Sequence, residues 1–505
     1  MRRYSVFVTL LGAIGVAGFL TACSGGESPS ASASAGGASG SGSASASGTV
    51  TGFGSLFVNG KRFETNNVLV KVDDSGETSC TIGLPAPGSD DSCGIKKGMV
   101  VTVNGSFSGR QHTATLVRQK DAVEGLVQSV APDKSSLVVM GQTVLVDITT
   151  IIDDNIANRD LATLRAGVDH VEVNGHVQPG GIIQATFIER KLAIVTPEVR
   201  GYVSGHNHSA TPKTFKIGNL TVDYTNTPPL GLSDMPSPGP NGDAWNGLFV
   251  EVKGGQFTPG PNQQTEGTLL ATKVEPENRG VGNDVDEFEV EGFVTNVVSV
   301  DINTRVAHFF IGTTEVRTTS NTQFREGTVD EIVLGAKMSA EGRMENGVLI
   351  AKHVKFKESA RLEGDIETVT GSAPEFTVKI TGLPPVTVKT DSRTRLDGTL
   401  EAGRQVRVRG RVIGGNTVIA TRIQERSNDN DVELRGTVQS INGDVIGILG
   451  VSVDTGTINH FESVSGTSLS RAAFLAALKE NESLVKVKGA WDGTAVMWDE
   501  AELED

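Results

Sequence analysis

Aromatic residues are scarce. Phe, Tyr and Trp together make up 5% of the 505 residues, with three Tyr and three Trp, which limits the stacking surface on offer to sugars or bases. Cations are also in deficit: 45 Lys and Arg stand against 60 Asp and Glu, for a formal charge of −15. Phosphate backbones are bound by clustered Lys and Arg, so this balance argues for no nucleic acid partner. Beyond the N-terminus no apolar run approaches the roughly 20 residues that a spanning helix needs. Nucleophilic catalysis lacks its usual parts, because there is no Gly-x-Ser-x-Gly elbow and the eight His are scattered. The expectation is a protein that is not an enzyme and has no cofactor and no metal. A glycosidase-type carboxylate pair stays open in so acidic a chain.

What is present begins at the N-terminus. Arg2 and Arg3 precede an uncharged, mostly apolar run from Tyr4 to Phe19, followed by Leu20-Thr21-Ala22-Cys23. A basic start, a short apolar segment and small residues before a cleavage point define a secretory signal peptide. The tetrapeptide is similar to the lipobox of bacterial lipoproteins, which implies lipidation at Cys23 and a mature chain held to a membrane through its acyl chains. Each buried methylene contributes about 0.8 kcal/mol, so two or three chains anchor a folded domain firmly. The expected location is the cell envelope, on the outer membrane or facing the periplasm. Two cysteines remain, Cys80 and Cys93, in a loop rich in Gly, Ser, Asp and Pro. In an oxidising compartment such a pair reads as a disulfide; a zinc site is the alternative, though no His lies beside them.

From Ser24 to Ser47 the chain is almost entirely Ser, Gly and Ala, the composition of a flexible tether. Beyond it one phrase recurs: Val123-Glu124-Gly125, Val199-Arg200-Gly201, Val290-Glu291-Gly292, Leu362-Glu363-Gly364 and Leu434-Arg435-Gly436, with a weaker copy at Gly48-Thr49-Val50. A second phrase follows late in each unit, a period-two strand ending in Gly, as in Val171-Glu172-Val173-Asn174-Gly175 and Val406-Arg407-Val408-Arg409-Gly410. Two phrases in fixed order, six times over, mark internal duplication. The resulting division is 1–22 signal peptide, 23–47 lipidated Cys and tether, 48–120, 121–196 and 197–277 as units 1 to 3, 278–287 acidic linker, and 288–358, 359–427 and 428–505 as units 4 to 6.

Alternating apolar and polar residues with frequent turns predict small all-β units. Helical spacing at Asn158 to Ala166 and Ser470 to Glu480, placed before the Val-x-Val-x-Gly strand, adds the element order of an OB-like barrel. Unequal unit lengths point to beads on a string, with joints at Asn278 to Glu287 and Ser427 to Asp431.

Unit 1 opens Gly48-Thr49-Val50-Thr51-Gly52-Phe53-Gly54-Ser55 and continues to Val58-Asn59-Gly60. This run resembles the signature of a bacterial envelope family known only as a domain of unknown function. The resemblance implies a lipoprotein or secreted protein of small β-domains, and it carries over no catalytic residue. The glycines themselves read as bends in a barrel strand, with Asn59-Gly60 a hairpin turn.

Other candidates weigh towards plain structure. His206 and His208 would share a strand face and suit a metal, but no third ligand accompanies them, so an exposed loop is expected. Asp90-Asp91, Asp153-Asp154 and Asn283 to Glu291 read as solvated acidic loops. Asp391 to Gly398 lacks the intervening oxygens of a calcium loop. Trp245 could serve as a sugar platform, while Trp491 and Trp498 are expected in the core of the last unit. The partner is expected to be a protein or a glycan. Substituting Cys23→Ser should abolish palmitate labelling and release the protein from membranes; a mutant that still sediments after a carbonate wash would refute the anchor.

Overall fold

The computed structural model describes residues 41–504 except 74, 87, 88, 90, 194, 278, 279, 428, 429, 465 and 482. Cys23 and the leader lie outside the described residues. The fold is nearly all β, as the alternation predicts, with repeated small barrels.

Unit 2 shows the ring. Its opening strand, Val123–Val130, pairs with Ser136–Val139, which turns tightly into Gln142–Leu145. That third strand runs parallel to Ile182–Lys191, which pairs with His170–Gln178, and this strand returns to the opening strand. Five strands thus close on themselves in OB-like order, with alternate residues such as Val123, Val127, Val171 and Val173 pointing inward. Unit 4, opening with Val285–Asp301, and unit 5, opening with Ala360–Ser372, close the same ring. Units 1, 3 and 6 keep the strand order with looser closure. In unit 3 the opening strand breaks at Val203 into Glu198–Tyr202 and Ser204–Asn207.

The final Gly of the second phrase has one purpose throughout. Each unit has a β-bulge there, between Asn104 and Gly105 in unit 1 and between Arg409 and Gly410 in unit 5, with equivalents in the other four. A Cβ on Gly410 would collide with the Ile419 carbonyl oxygen of the facing strand, and one on Gly105 with that of Thr113. Only glycine lets the two backbones approach this closely while the strand coils around the barrel.

The helical spacing is only half realised. Arg471–Ala477 is an α-helix capped by Ser470 Oγ, with Phe474 and Leu478 buried and Leu475 partly so. In unit 2 the same place holds two short 3-10 turns, Ala157–Arg159 and Leu161–Thr163, because Asn158 and Arg159 take positive φ and interrupt an α-helix. Asn59 and Gly60, at φ 55° and 86°, form the expected two-residue hairpin turn between Leu56–Val58 and Lys61–Phe63.

The units are not beads. The opening strand of unit 2 pairs antiparallel with that of unit 3 (Val123 with Val199), and unit 5 pairs likewise with unit 6 (Leu362 with Leu434). Unit 1 pairs parallel with unit 4, Ala44 to Ser47 against Glu287 to Val290. One hydrophobic core spans units 2 and 3 and another spans units 5 and 6. The cause is the first part of the opening strand: in unit 2 its second half, Val127 to Val130, pairs with Ser136–Val139, and Val123 and Glu124 on that edge are left for unit 3 to cover.

Two expected linkers are strand as well. Ser41–Phe53 is one strand, so the tether reading fails from Ser41 onward. Ala44 and Ala46 alternate inward and are fully buried between Val100–Ser108 and the unit 4 strand. The acidic linker is strand from Val285, where Glu287 pairs with Ala44. Composition misleads in both places because neighbouring strands supply the apolar contacts these segments lack.

Leu362 is fully buried and faces Leu434 of the next unit. Leu362→Asp would bury an unpaired carboxylate at a cost on the order of 3–5 kcal/mol. Hydrogen exchange should then rise in both unit 5 and unit 6; protection lost from unit 5 alone would contradict the shared core.

Candidate functional site

Units 1 to 4 enclose a cleft of about 930 Å³ walled by their strands. It contains the outward-facing side chains of those strands, which are polar because their neighbours turn into the barrels. From unit 3 come Arg200, Tyr202 and Phe249, and from units 2 and 4 come His176 and Phe293. Tyr202 and Phe249 lie with ring centroids 4.9 Å apart, and the Arg200 guanidinium sits 5.4 Å above the Phe249 ring. His176 lies 5.9 Å from Phe293. Among the polar atoms of the lining residues, Asp73 Oδ1, Gln119 Oε1 and Arg200 Nε are buried without a hydrogen-bond partner among the described residues, while the Tyr202 hydroxyl lies against the Thr295 side chain. Burial pushes the Tyr202 hydroxyl up to about 12, so it remains a donor.

Unit 1 contributes a row across four strands. Lys71 is paired with Arg118, Arg118 with Thr102 and Thr102 with Ser47, and all four residues line the cleft half-buried. Arg118 Nη1 donates to the Gly280 carbonyl at 3.4 Å.

Deeper in the wall, carboxylates gather around lysines. Asp73, Glu198 and Glu251 bring carboxylate oxygens within 4.8 Å of one another, as a cation site would. Lys253 already occupies their centre, 3.6 Å from Asp73, 3.3 Å from Glu251 and bonded to Glu198. Burial, with Glu251 and Asp73 nearby, pushes the Glu198 carboxyl up to about 8. Lys120 joins Glu251, at 2.5 Å, to Glu277. Lys486 does the same for Glu326, Glu502 and Glu504 between units 4 and 6. Each acidic group is matched by an internal ammonium.

The sequence candidates fall elsewhere. Cys80 and Cys93 form a disulfide with Cα atoms 6.3 Å apart, away from the cleft lining. His206 is buried rather than in an exposed loop: its ring stacks on Trp245 at 4.2 Å, and its Nε2 lies 2.8 Å from Tyr224 Oη. His208 Nδ1 reaches the same hydroxyl at 3.1 Å. This aromatic core also removes Trp245 as a sugar platform, since its indole is buried and donates to Pro236 O. Trp498 is in the core of the last unit, and Trp491 packs against it. Asp153 is not a solvated loop residue but a buried partner of Lys96 at 2.9 Å. Asp397 pairs with Arg395 and Arg422. In the run from Asn283 to Glu291, Glu287 and Glu291 are strand residues paired with Lys61 and Lys337.

No local signal marks the cleft. Its residues are scattered through the first four units at ordinary outward strand positions, and only the packing of units brings them together.

His176 gives the cleft a pH dependence. Burial holds the ring down at about 4, against the opposing pull of Glu291 and with Lys337 adding to the shift. The free value is about 6.5, so as pH falls the unfolded chain takes up this proton first. Stability from the neutral ring is whole above about pH 6.5 and is lost on the way down to about pH 4. His176→Gln should flatten that limb when urea midpoints are compared at pH 7 and pH 4.5. An equal fall in both proteins would assign the acid sensitivity to other groups.

Three segments, residues 124–189, 291–355 and 363–424, match the family model described as "Domain of unknown function (DUF5666)". Against curated proteins the chain finds no match. The matched segments lie in units 2, 4 and 5, the three with fully closed rings, and not in unit 1 with its Gly-Phe-Gly-Ser run. Three of the six units are thus similar to one family of domains of unknown function.

Proposed function

We propose that this chain is a non-catalytic, lipid-anchored protein of the cell envelope that holds a saccharide in the cleft between units 1 to 4. The observation that carries the reading is the pairing, in one concave space, of aromatic faces with buried polar atoms that lack a partner. A sugar ring presents a C–H face and a rim of hydroxyls. Tyr202, Phe249 and Phe293 offer surface to the first, and Arg200 Nε and Gln119 Oε1 offer a donor and an acceptor to the second. A cleft of about 930 Å³ is near the upper end of the usual range for ligand sites, about 300–1,000 Å³. The leader ending in Cys23 supports attachment to an envelope membrane, where saccharides are abundant. A divalent-cation role is less well supported, because lysines already fill the acidic groups.

A ligand present at about 100 times its Kd stabilises the folded state by about 2.7 kcal/mol, enough to read as a melting shift. Maltopentaose or oligogalacturonate, tested separately, should raise the melting temperature of the wild type. Tyr202→Ala and Phe249→Ala should each cancel the shift. A rise with calcium chloride and with neither saccharide would replace this reading with cation binding.

A further inference from the structure

We infer that the ligand of this cleft is an anionic saccharide, whose negative group lies along the Lys71–Arg118–Thr102–Ser47 row of unit 1. The inference rests on the saccharide reading above and adds the charge of the ligand.

The argument starts from pairing. Of the carboxylates lining the cleft, Asp73 is matched by Lys253, Glu275 by Lys273 at 2.8 Å, Glu277 by Lys120 and Arg200, and Glu291 by Lys337 at 3.5 Å. Among the described residues Asp234 has no cation partner, and it is exposed. Lys71 and Arg118 differ from the other cations of the cleft. Neither forms an ion pair with a carboxylate among the described residues, although the chain has 15 more acids than bases. They are also direct neighbours in the sheet, where like charges repel. An acidic protein could relieve that repulsion with a single Asp or Glu on an adjacent strand. Instead the next positions along the row are two hydroxyls, Thr102 and Ser47.

Two cations and two hydroxyls in cross-strand register form a graded set of donors. Strand spacing sets neighbouring members about 4.8 Å apart, close enough for two of them to share a carboxylate or phosphate. The alternation of the strands fixes the direction. Val70, Val117, Val103 and Ala46 point into the barrel, so the four residues beside them point out towards the cleft. The aromatic and donor groups of units 2 to 4 line the same space. A ring-shaped ligand with one negative substituent meets both walls at once. A neutral sugar would leave the two cations unmatched, and a bare anion would leave the aromatic faces empty.

The test is isothermal titration of the full mature protein with four probes: oligogalacturonate, glucose 6-phosphate, neutral maltopentaose and inorganic phosphate. A charge-assisted contact is worth enough that at least one anionic sugar should bind about tenfold or more tighter than maltopentaose. That preference should shrink as salt is raised. Carboxylate and phosphate sources are told apart by which of the two anionic sugars wins. Lys71→Ala with Arg118→Ala should reduce the winner to the affinity of maltopentaose without lowering the melting temperature, and Lys71→Arg should keep the preference. Equal binding of neutral and anionic sugars by the wild type overturns the charge inference and leaves the saccharide reading standing. Phosphate binding that depends on Lys71, with no sugar bound, keeps the anion row and removes the saccharide. If no probe binds, both fall.

Discussion

The structure depends on a backbone constraint: the ring pairs one edge of its opening strand only along the second half, so the first residues of that edge have no partner within the unit. An unpaired row of N–H and C=O groups is an invitation to pair with another chain. Here the chain pairs with itself. Unit 2 covers unit 3, unit 5 covers unit 6, and unit 1 lies parallel against unit 4 although more than 240 residues separate Ser43 from Asp286, which it hydrogen-bonds. The parallel case uses the Ser-Ala run before Gly48. On this strand, paired on both sides, Ala44 and Ala46 are the inward, buried residues.

Joining barrels edge to edge places their outer, polar faces against one another. That geometry accounts for the density of buried ion pairs in an acidic protein. Arg435 is fully buried at the junction of units 5 and 6, where it donates to the Glu358 carbonyl and pairs with Glu504. Arg409 reaches Glu331 and Glu358 from the same region. Such pairs repay their desolvation only when geometry is complete, so they add more to the registry of the units than to net stability. Lys253, Lys120 and Lys486 do the same within their carboxylate groups.

The cleft follows from the same arrangement. Four barrels meeting by their edges cannot fill the space between their curved outer walls. The space that remains is lined by whatever outward residues the strands carry. Most of those residues pair with each other across the units. Among the described residues Arg200 Nε has no partner and Lys71 and Arg118 form no ion pair, and these groups distinguish a binding surface from a packing defect.

The repeat, the strand alternation, the glycine at the bulge and the Asn59-Gly60 turn were legible in the sequence because each is local. A period of two, a close backbone approach and a positive φ are all set by residues a few positions apart. The pairing of Cys80 with Cys93 was legible for the same reason, as they lie 13 residues apart. The leader and Cys23 are likewise carried by the sequence alone. Only the tertiary structure decided that residues from Ser41 form a strand, that His206 stacks on Trp245 in a core, and that Asn158 turns in 3-10 fashion where a helix was expected. In each case a distant strand or a backbone torsion outweighed local composition. The cleft belongs wholly to that second class. Its residues occupy unremarkable outward positions in four separate units, and they become neighbours only because each barrel must cover the open edge of another.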